Sequence, residues 1–240
     1  MAVTPAGQVF VAGINSKTAP TQIGTQGVGA YLAGFATDGT LIFAGMLKGL
    51  SEFPTMDDLA VDSAGNVVAV GSFTGPVDFN ISPSKTFTLA GGVKADGFVA
   101  KYSGTGKLFY AKPIDGVSES GGGVAASSVA IDSQGYINVG GSFDGLTYFN
   151  PGLSRFRFNS GGDDRDGFVA KFQNNGAFVN AWQLDGPAND EVLYLVAGVG
   201  KSAPIFAAGP LRGVLDADPG AGVFNLTGSN GYASFVIKLV

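Results

Sequence analysis

The sequence predicts an all-β fold: a β-propeller-type array of four repeats, about four antiparallel strands to a blade, with the last blade lacking its outer strand. Three observations predict it. Leu59–Phe73 (LAVDSAGNVVAVGSF) returns as Val129–Phe143 (VAIDSQGYINVGGSF), and Asp96–Lys101 (DGFVAK) returns unchanged as Asp166–Lys171. Both pairs are offset by 70 residues (129 − 59 and 166 − 96), a fixed period that signals stacked structural units. The apolar runs are short and alternating, with no helical periodicity between them. Finally, 39 glycines and 19 phenylalanines in 240 residues suit many short strands joined by tight turns. A four-stranded meander cannot bury both its faces alone, and packing of successive blades covers them. A β-solenoid would have a much shorter period, and a β-sandwich would not explain the internal identity.

The chain reads as one domain, residues 1–240, with units of approximately 1–50, 51–116, 117–186 and 187–240. In the second unit, Leu59–Asp62 is a strand, Ser63–Asn66 its turn, and Val67–Phe73 a strand with Val68 and Val70 on one face. A variable arm follows, with a small hairpin around Val77–Phe79 and Thr86–Leu89, then strands at Phe98–Tyr102 and Lys107–Ile114. The third unit repeats the order at Val129–Asp132, Tyr136–Phe143, Phe168–Phe172 and Ala177–Leu184. The first unit is looser, with Ala2–Gly13 as a hairpin, Gly29–Phe43 after it, and a last strand at Thr40–Leu47. In the fourth, Val199–Gly209 matches the first hairpin and Ser234–Leu239 the third strand. Gly13, Gly71, Gly141 and Gly209 read as closing second strands, while Gly65, Gly135, Gly39, Gly106 and Gly176 sit in turns that favour φ > 0. A phosphate cradle would need a strand, a glycine loop and a helix, a context that never appears.

At DSAGNVVAVGSF, DGFVAK and DPGAGVFNLT the chain resembles the SBBP-type β-propeller repeats of bacterial extracellular proteins. The elements of that repeat fall at Asp62–Asn66, Val68–Gly71, Asp96–Lys101 and Gly106–Lys112, and again at Asp132–Gly135, Asp166–Lys171 and Gly176–Leu184. Its arm form falls at Val77–Asn80, Tyr148–Gly152 and Leu215–Gly220. The first unit departs from the pattern, because Val28–Gly34 lacks both the aspartate and the lysine. The resemblance implies a secreted or surface-attached protein, extracellular or at the cell surface, with a role in adhesion, scaffolding, assembly or ligand binding. It brings no catalytic residues.

Composition excludes several classes of chemistry. A net charge of −5 with no Lys/Arg cluster argues against nucleic acid, where phosphate neutralisation supplies most of the affinity. The absence of cysteine and histidine removes disulfides, thiolate and imidazole metal sites and the usual nucleophilic triads. No apolar run is long enough for a membrane span, and the start MAVTPAGQVF carries no signal-peptide pattern. No cofactor is expected. The chain reads as a non-enzymatic interaction module, with a carbohydrate-binding propeller as the alternative and a carboxylate-based glycan hydrolase or lyase as a third reading.

Four sets of residues are candidates for function. Trp182, Tyr148, Tyr194 and Tyr232 could stack against a glycan, or else fill space between blades. Asp216 with Asp218, and Asp78 with Asn80, offer hard oxygen ligands suited to calcium, short of the usual six to eight. Asp163, Asp164 and Asp166 around Arg165 form the one local carboxylate cluster, and a solvated turn is the competing reading. Asn80-Ile81-Ser82 and Asn225-Leu226-Thr227 fit glycosylation acceptors. Lastly, Ser234, Phe235, Val236, Ile237, Lys238, Leu239 and Val240 form a strand with no successor in its blade, an edge able to recruit protein partners or a second copy.

Overall fold

The computed structural model describes residues 1–15, 29–49, 54–116, 122–150, 156–161, 164–200, 204–218, 222–228 and 233–239. Tyr232, Val240, Asp163, Val28 and the arm glycines Gly152 and Gly220 lie outside them. The chain is all-β, built from antiparallel sheets, with no α-helix among the described residues.

The first sheet runs in chain order through β1 (Ala2–Val3), β2 (Val9–Asn15), β3 (Gly29–Phe35) and β4 (Leu41–Met46), and β5 (Lys48–Gly49) follows. The second unit contains β6 (Asp58–Val61), β7 (Val67–Phe73), the arm strands β8 (Val77–Asp78) and β9 (Thr88–Leu89), β10 (Asp96–Tyr102) and β11 (Leu108–Gly116). The third contains β12 (Val124–Ile131), β13 (Ile137–Asp144), the arm strands β14 (Leu146–Tyr148) and β15 (Arg157–Asn159), β16 (Arg165–Phe172) and β17 (Phe178–Leu184). The fourth contains β18 (Tyr194–Ala197), β19 (Ile205–Leu211), the arm strands β20 (Val214–Asp216) and β21 (Asn225–Thr227), and β22 (Ala233–Leu239). The main meanders pair as β6-β7-β10-β11, β12-β13-β16-β17 and β18-β19-β22.

Two boundaries differ from the sequence reading. The last unit's hairpin begins at Tyr194, and Val199 lies outside both of its strands. β12 begins at Val124, and a bulge between Ala126 and Ser128 realigns it against β13.

Each meander alternates side chains to its two faces, and the cores lie between successive sheets. Val67, Ala69, Phe98 and Ala100 of the second sheet pack with Phe10 and Leu32 of the first. Val68, Val70 and Val99, from the opposite face, pack with Ile137, Val139 and Phe168 of the third. Val169 then packs with Ile205, Ala207 and Phe235 of the fourth. Val68 and Val70 share a face as the alternation predicts, and Phe98, Phe168 and Phe235 are all core. Arm phenylalanines reach into these cores, Phe79 against Phe98 at 4.8 Å and Phe149 against Phe168 at 4.9 Å.

The first strands touch in succession: β1 meets β6, β6 meets β12, and β12 meets β18. A relay of hydrogen bonds ties three of them. The Ser128 hydroxyl donates to Asp58 Oδ2 (3.0 Å), while Leu195 N donates to Ser128 Oγ (3.0 Å). The bulge in β12 puts Ser128 between its two neighbours.

The glycines divide by cause. Gly65, Gly135, Gly39, Gly106 and Gly176 have φ of 77–84° and occupy turns, as expected. Gly71, Gly141 and Gly209 sit inside their strands at ordinary φ rather than closing them. A Cβ there would stand 2.3, 1.9 and 1.8 Å from the carbonyl oxygens of Thr55, Ala125 and Glu191, so the close approach of the neighbouring backbone requires glycine.

The repeated Asp-x-x-Gly turn and Phe-Val-x-Lys strand meet in one device. Asp62 Oδ1 accepts from Ala64 N and Asn66 N (both 2.9 Å), and Oδ2 lies 2.7 Å from Lys101 Nζ. Asp132 repeats this, accepting from Gln134 N (3.0 Å) and Tyr136 N (2.9 Å) with Lys171 Nζ at 3.3 Å. In the first unit Thr4 and Gly34 stand at these places, so both charges are lost together.

Candidate functional site

The arms join neighbouring units. Each arm hairpin pairs with the tail of the preceding unit's last strand: β8 with β5, β14 with β11, and β20 with Asp185 just after β17. One register position therefore recurs at three junctions with different chemistry. Lys48 faces Asp78, with Nζ 4.0 Å from Oδ2; Asp115 faces Tyr148; Asp185 faces Asp216. Like charges directly opposite in an antiparallel pair are destabilising, and the third junction has two.

More carboxylates surround that third junction. An open cleft of about 540 Å³ is lined by Asp164, Asp185, Gly186, Val214, Asp216 and Asn225. Behind it lie Asp166 and Asp190, both fully buried. Asp166 Oδ2 accepts from Gln183 Nε2 (2.6 Å), whereas its Oδ1 and both oxygens of Asp190 have no hydrogen-bond partner. Asp190 Oδ2 stands 2.4 Å from the point a Cβ on Gly186 would occupy, so the missing side chain of the cleft wall is what admits it. Burial pushes the Asp166 carboxyl up to about 7, against the Gln183 hydrogen bond and with help from Asp185 and Asp164. Asp190 is likewise pushed up to about 7, by burial first and then by Asp166, Asp185 and Asp164.

The second unit carries the same pair in a milder form. Burial raises Asp115, a hydrogen bond with Asp96 opposes the rise, and Asp96 Oδ2 also accepts from Gly92 N (2.7 Å). The carboxylates at the third junction are therefore an elaborated repeat position. Strand register could have flagged Asp185, which sits where Asp115 does. Asp190 takes the place of Val124 in the third unit, its N donating to Arg165 O as Val124 N does to Ala95 O, but a valine there gives no sign of a carboxylate.

The other candidate residues scatter. Trp182 is half-buried against the core between the third and fourth sheets. Tyr148 is half-buried in an arm, and Tyr194 is exposed on β18; none of the three makes a ring contact with another. Asp78 and Asp216 bind their own arms: Asp78 Oδ1 accepts from Asn80 N (2.9 Å) and Phe87 N (2.8 Å), and Asp216 Oδ1 from Asp218 N (3.0 Å) and Phe224 N (2.9 Å). Asn80 Oδ1 in turn accepts from Ser82 N (3.1 Å), and Asp218 is exposed. Among the described residues no three acidic groups are gathered at metal-ligand spacing.

The strand expected as an assembly edge, β22, is the terminal strand of its sheet, paired with β19 alone among the described strands, and it also presents an outward face. Phe235, Ile237 and Leu239 are core, while Ser234, Val236 and Lys238 point outward. Val236 (70% exposed) joins Tyr194 (67%), Val196 (61%) and Phe206 (38%) on the outer face of the last sheet. By register Phe206 corresponds to Val68 and Val236 to Val99, both 0% exposed because the next unit covers them. No helix among the described residues is long and apolar enough to cross a membrane. No protein-family model matches the chain, and no curated protein matches it.

Proposed function

We propose that the chain is a non-enzymatic structural and interaction module of β-propeller type, from an extracellular or cell-surface protein, that self-associates through the outer face of its last sheet. The observation that carries this reading is the exposed set Tyr194, Val196, Phe206 and Val236, on the face that every earlier unit buries against its successor. A second copy can supply a successor. Val3, Val9, Val11 and Leu41 of its first sheet point away from Phe10 and Leu32, and Val3 and Leu41 are exposed. Burying a valine or phenylalanine side chain fully stabilises by about 1.5–3 kcal/mol, so covering Val196, Phe206 and Val236 with Tyr194 can offset part of the association cost. The contact is head-to-tail, which builds rings or filaments.

Sedimentation velocity across a concentration series tests it. Wild type is expected to associate with rising concentration, and Val236→Glu to sediment as a monomer throughout. A wild-type chain that stays monomeric at high concentration overturns the reading.

The glycan-binding alternative finds its support in Tyr194, the open ring among the described aromatic candidates. Binding on a glycan array that is lost in Tyr194→Ala, with oligomeric state unchanged, would favour it. A hydrolase needs a raised carboxyl in reach of substrate. The two carboxyls raised to about 7, Asp166 and Asp190, are both fully buried, whereas Asp57, also raised by burial around its carboxyl, is an exposed residue.

A further inference from the structure

The geometry points to a binding site for an aliphatic ammonium group, the chemistry of a lysine side chain or a polyamine, in the acidic cleft between the third and fourth units. The ammonium would sit between Asp185 and Asp216, where Lys48 provides one beside Asp78 at the first junction. This site is independent of self-association through the last sheet.

The internal comparison is the first support. One register position joins each unit to the arm of the next, and the chain fills it with an ion pair at the first junction and with two carboxylates at the third. The residues facing each other there are close enough for both carboxylates to reach one ammonium. The second support is the unpartnered carboxyl oxygens behind the wall. Asp190, fully buried with both oxygens unpaired, abuts Gly186 of the cleft, and the buried Asp166 carboxyl lies beside it. Unsatisfied buried carboxyls are costly unless something offsets them, and a cation in the cleft would do so for both.

The nearby cations do not already fill this role. Arg165 pairs with Asp144 at 3.7 Å, and Arg212 is exposed on the turn before Val214; among the described residues neither forms an ion pair with the five carboxylates. An organic cation fits better than a bare metal ion. No three carboxylates are gathered at metal-ligand spacing among the described residues, and 540 Å³ lies in the usual range for small organic ligands.

Calorimetric titration at low ionic strength tests the site, with four probes: spermidine, the peptide acetyl-Gly-Lys-Gly-Lys-Gly-amide, its Nε-acetylated form, and calcium chloride. Saturable binding of spermidine or of the lysine peptide is expected, and which of the two binds tells a polyamine site from a protein-docking site. Acetylation should weaken the peptide at least tenfold. Asp185→Lys, an exposed substitution that recreates the first junction, should abolish binding and raise the thermal midpoint without ligand. Asp216→Asn keeps the turn acceptor but drops the charge, and should weaken binding about tenfold. No binding of either ammonium at millimolar concentration, equal binding by Asp185→Lys, or a preference for calcium would each overturn the proposal.

Discussion

Replacing Lys101 with methionine keeps the aliphatic stem and removes the charge, leaving Asp62 alone in the interior. The Lys101 and Asp62 side chains are 5% and 3% exposed, and their charged atoms lie 2.7 Å apart. Lys101 also donates to the backbone carbonyl (3.3 Å) and side chain of Asn174, so it ties the second unit to a turn of the third. Breaking a buried pair from one side costs about 3–5 kcal/mol. For a chain of this size that lowers the thermal midpoint by roughly 10 °C. Lys171→Met is the internal control. Its pair is longer, at 3.3 Å, and the lysine is one-quarter exposed, so its loss should cost about 1–3 kcal/mol, between the exposed and buried cases. Urea unfolding followed by the fluorescence of the single tryptophan, Trp182, gives both numbers. Acid sharpens the comparison. Burial alone would raise the Asp62 carboxyl, but hydrogen bonds from Lys101 and Asn66 and the Lys101 charge hold it below 3.8. Its contribution is therefore complete above that value and lost as pH falls through the folded one, so wild type and Lys101→Met should converge in strong acid. Equal costs for the two variants, or a Lys101→Met cost under about 1 kcal/mol, would refute the reasoning.

Two further outcomes follow from the same structure. Asp166 and Asp190 have folded values near 7 against an ordinary 3.8, so the native state binds more protons and their contribution is lost as pH rises between those values. Asp190→Asn should therefore be more stable than wild type at pH 8, with that advantage shrinking as pH falls below 7 and gone near 3.8, read as thermal midpoints; a constant difference would contradict it. Gly141→Ala places a methyl 1.9 Å from the Ala125 carbonyl oxygen and should cost about 1–3 kcal/mol or more in urea unfolding. Gly135→Ala, in open space but at φ 83°, separates crowding from backbone strain. Wild-type stability for Gly141→Ala would show that the neighbouring backbone yields.

The repeat phrases made the meanders legible because identical apolar alternation produces identical strands. Asp96–Tyr102 and Arg165–Phe172 lie within three residues of their expected bounds. The first unit drops the counterparts of both Asp62 and Lys101, but the fourth keeps Lys238 with Gly198 at the aspartate's place, so the pairing is no covariation in the sequence and emerges only from the hairpin register. The in-strand glycines are not legible in the sequence because the close approach of a neighbouring backbone leaves no local mark; Gly71 looks like any strand-end glycine until Thr55 is placed beside it. The acidic cleft was half visible. Asp164 and Asp166 stand out as a local cluster, whereas Asp216 reaches the cleft only through the arm of the fourth unit and Asp190 comes to lie behind it from a separate segment. The calcium reading of Asp78 and Asp216 counted oxygens that the arm backbone also uses.

Because each arm is held by the unit before it, the boundaries of the repeat in sequence and in space do not coincide. A duplicated segment of the gene carries both a tail and an arm, and the new arm meets a tail of the kind it already fits. Copy number can thus change without redesigning any joint, and only the paired position at each joint is left free to vary. Lys48–Asp78, Asp115–Tyr148 and Asp185–Asp216 are three solutions at that position. Chemical novelty in such a chain accumulates at its seams, where a single substitution alters the relation between neighbours while each meander stays intact.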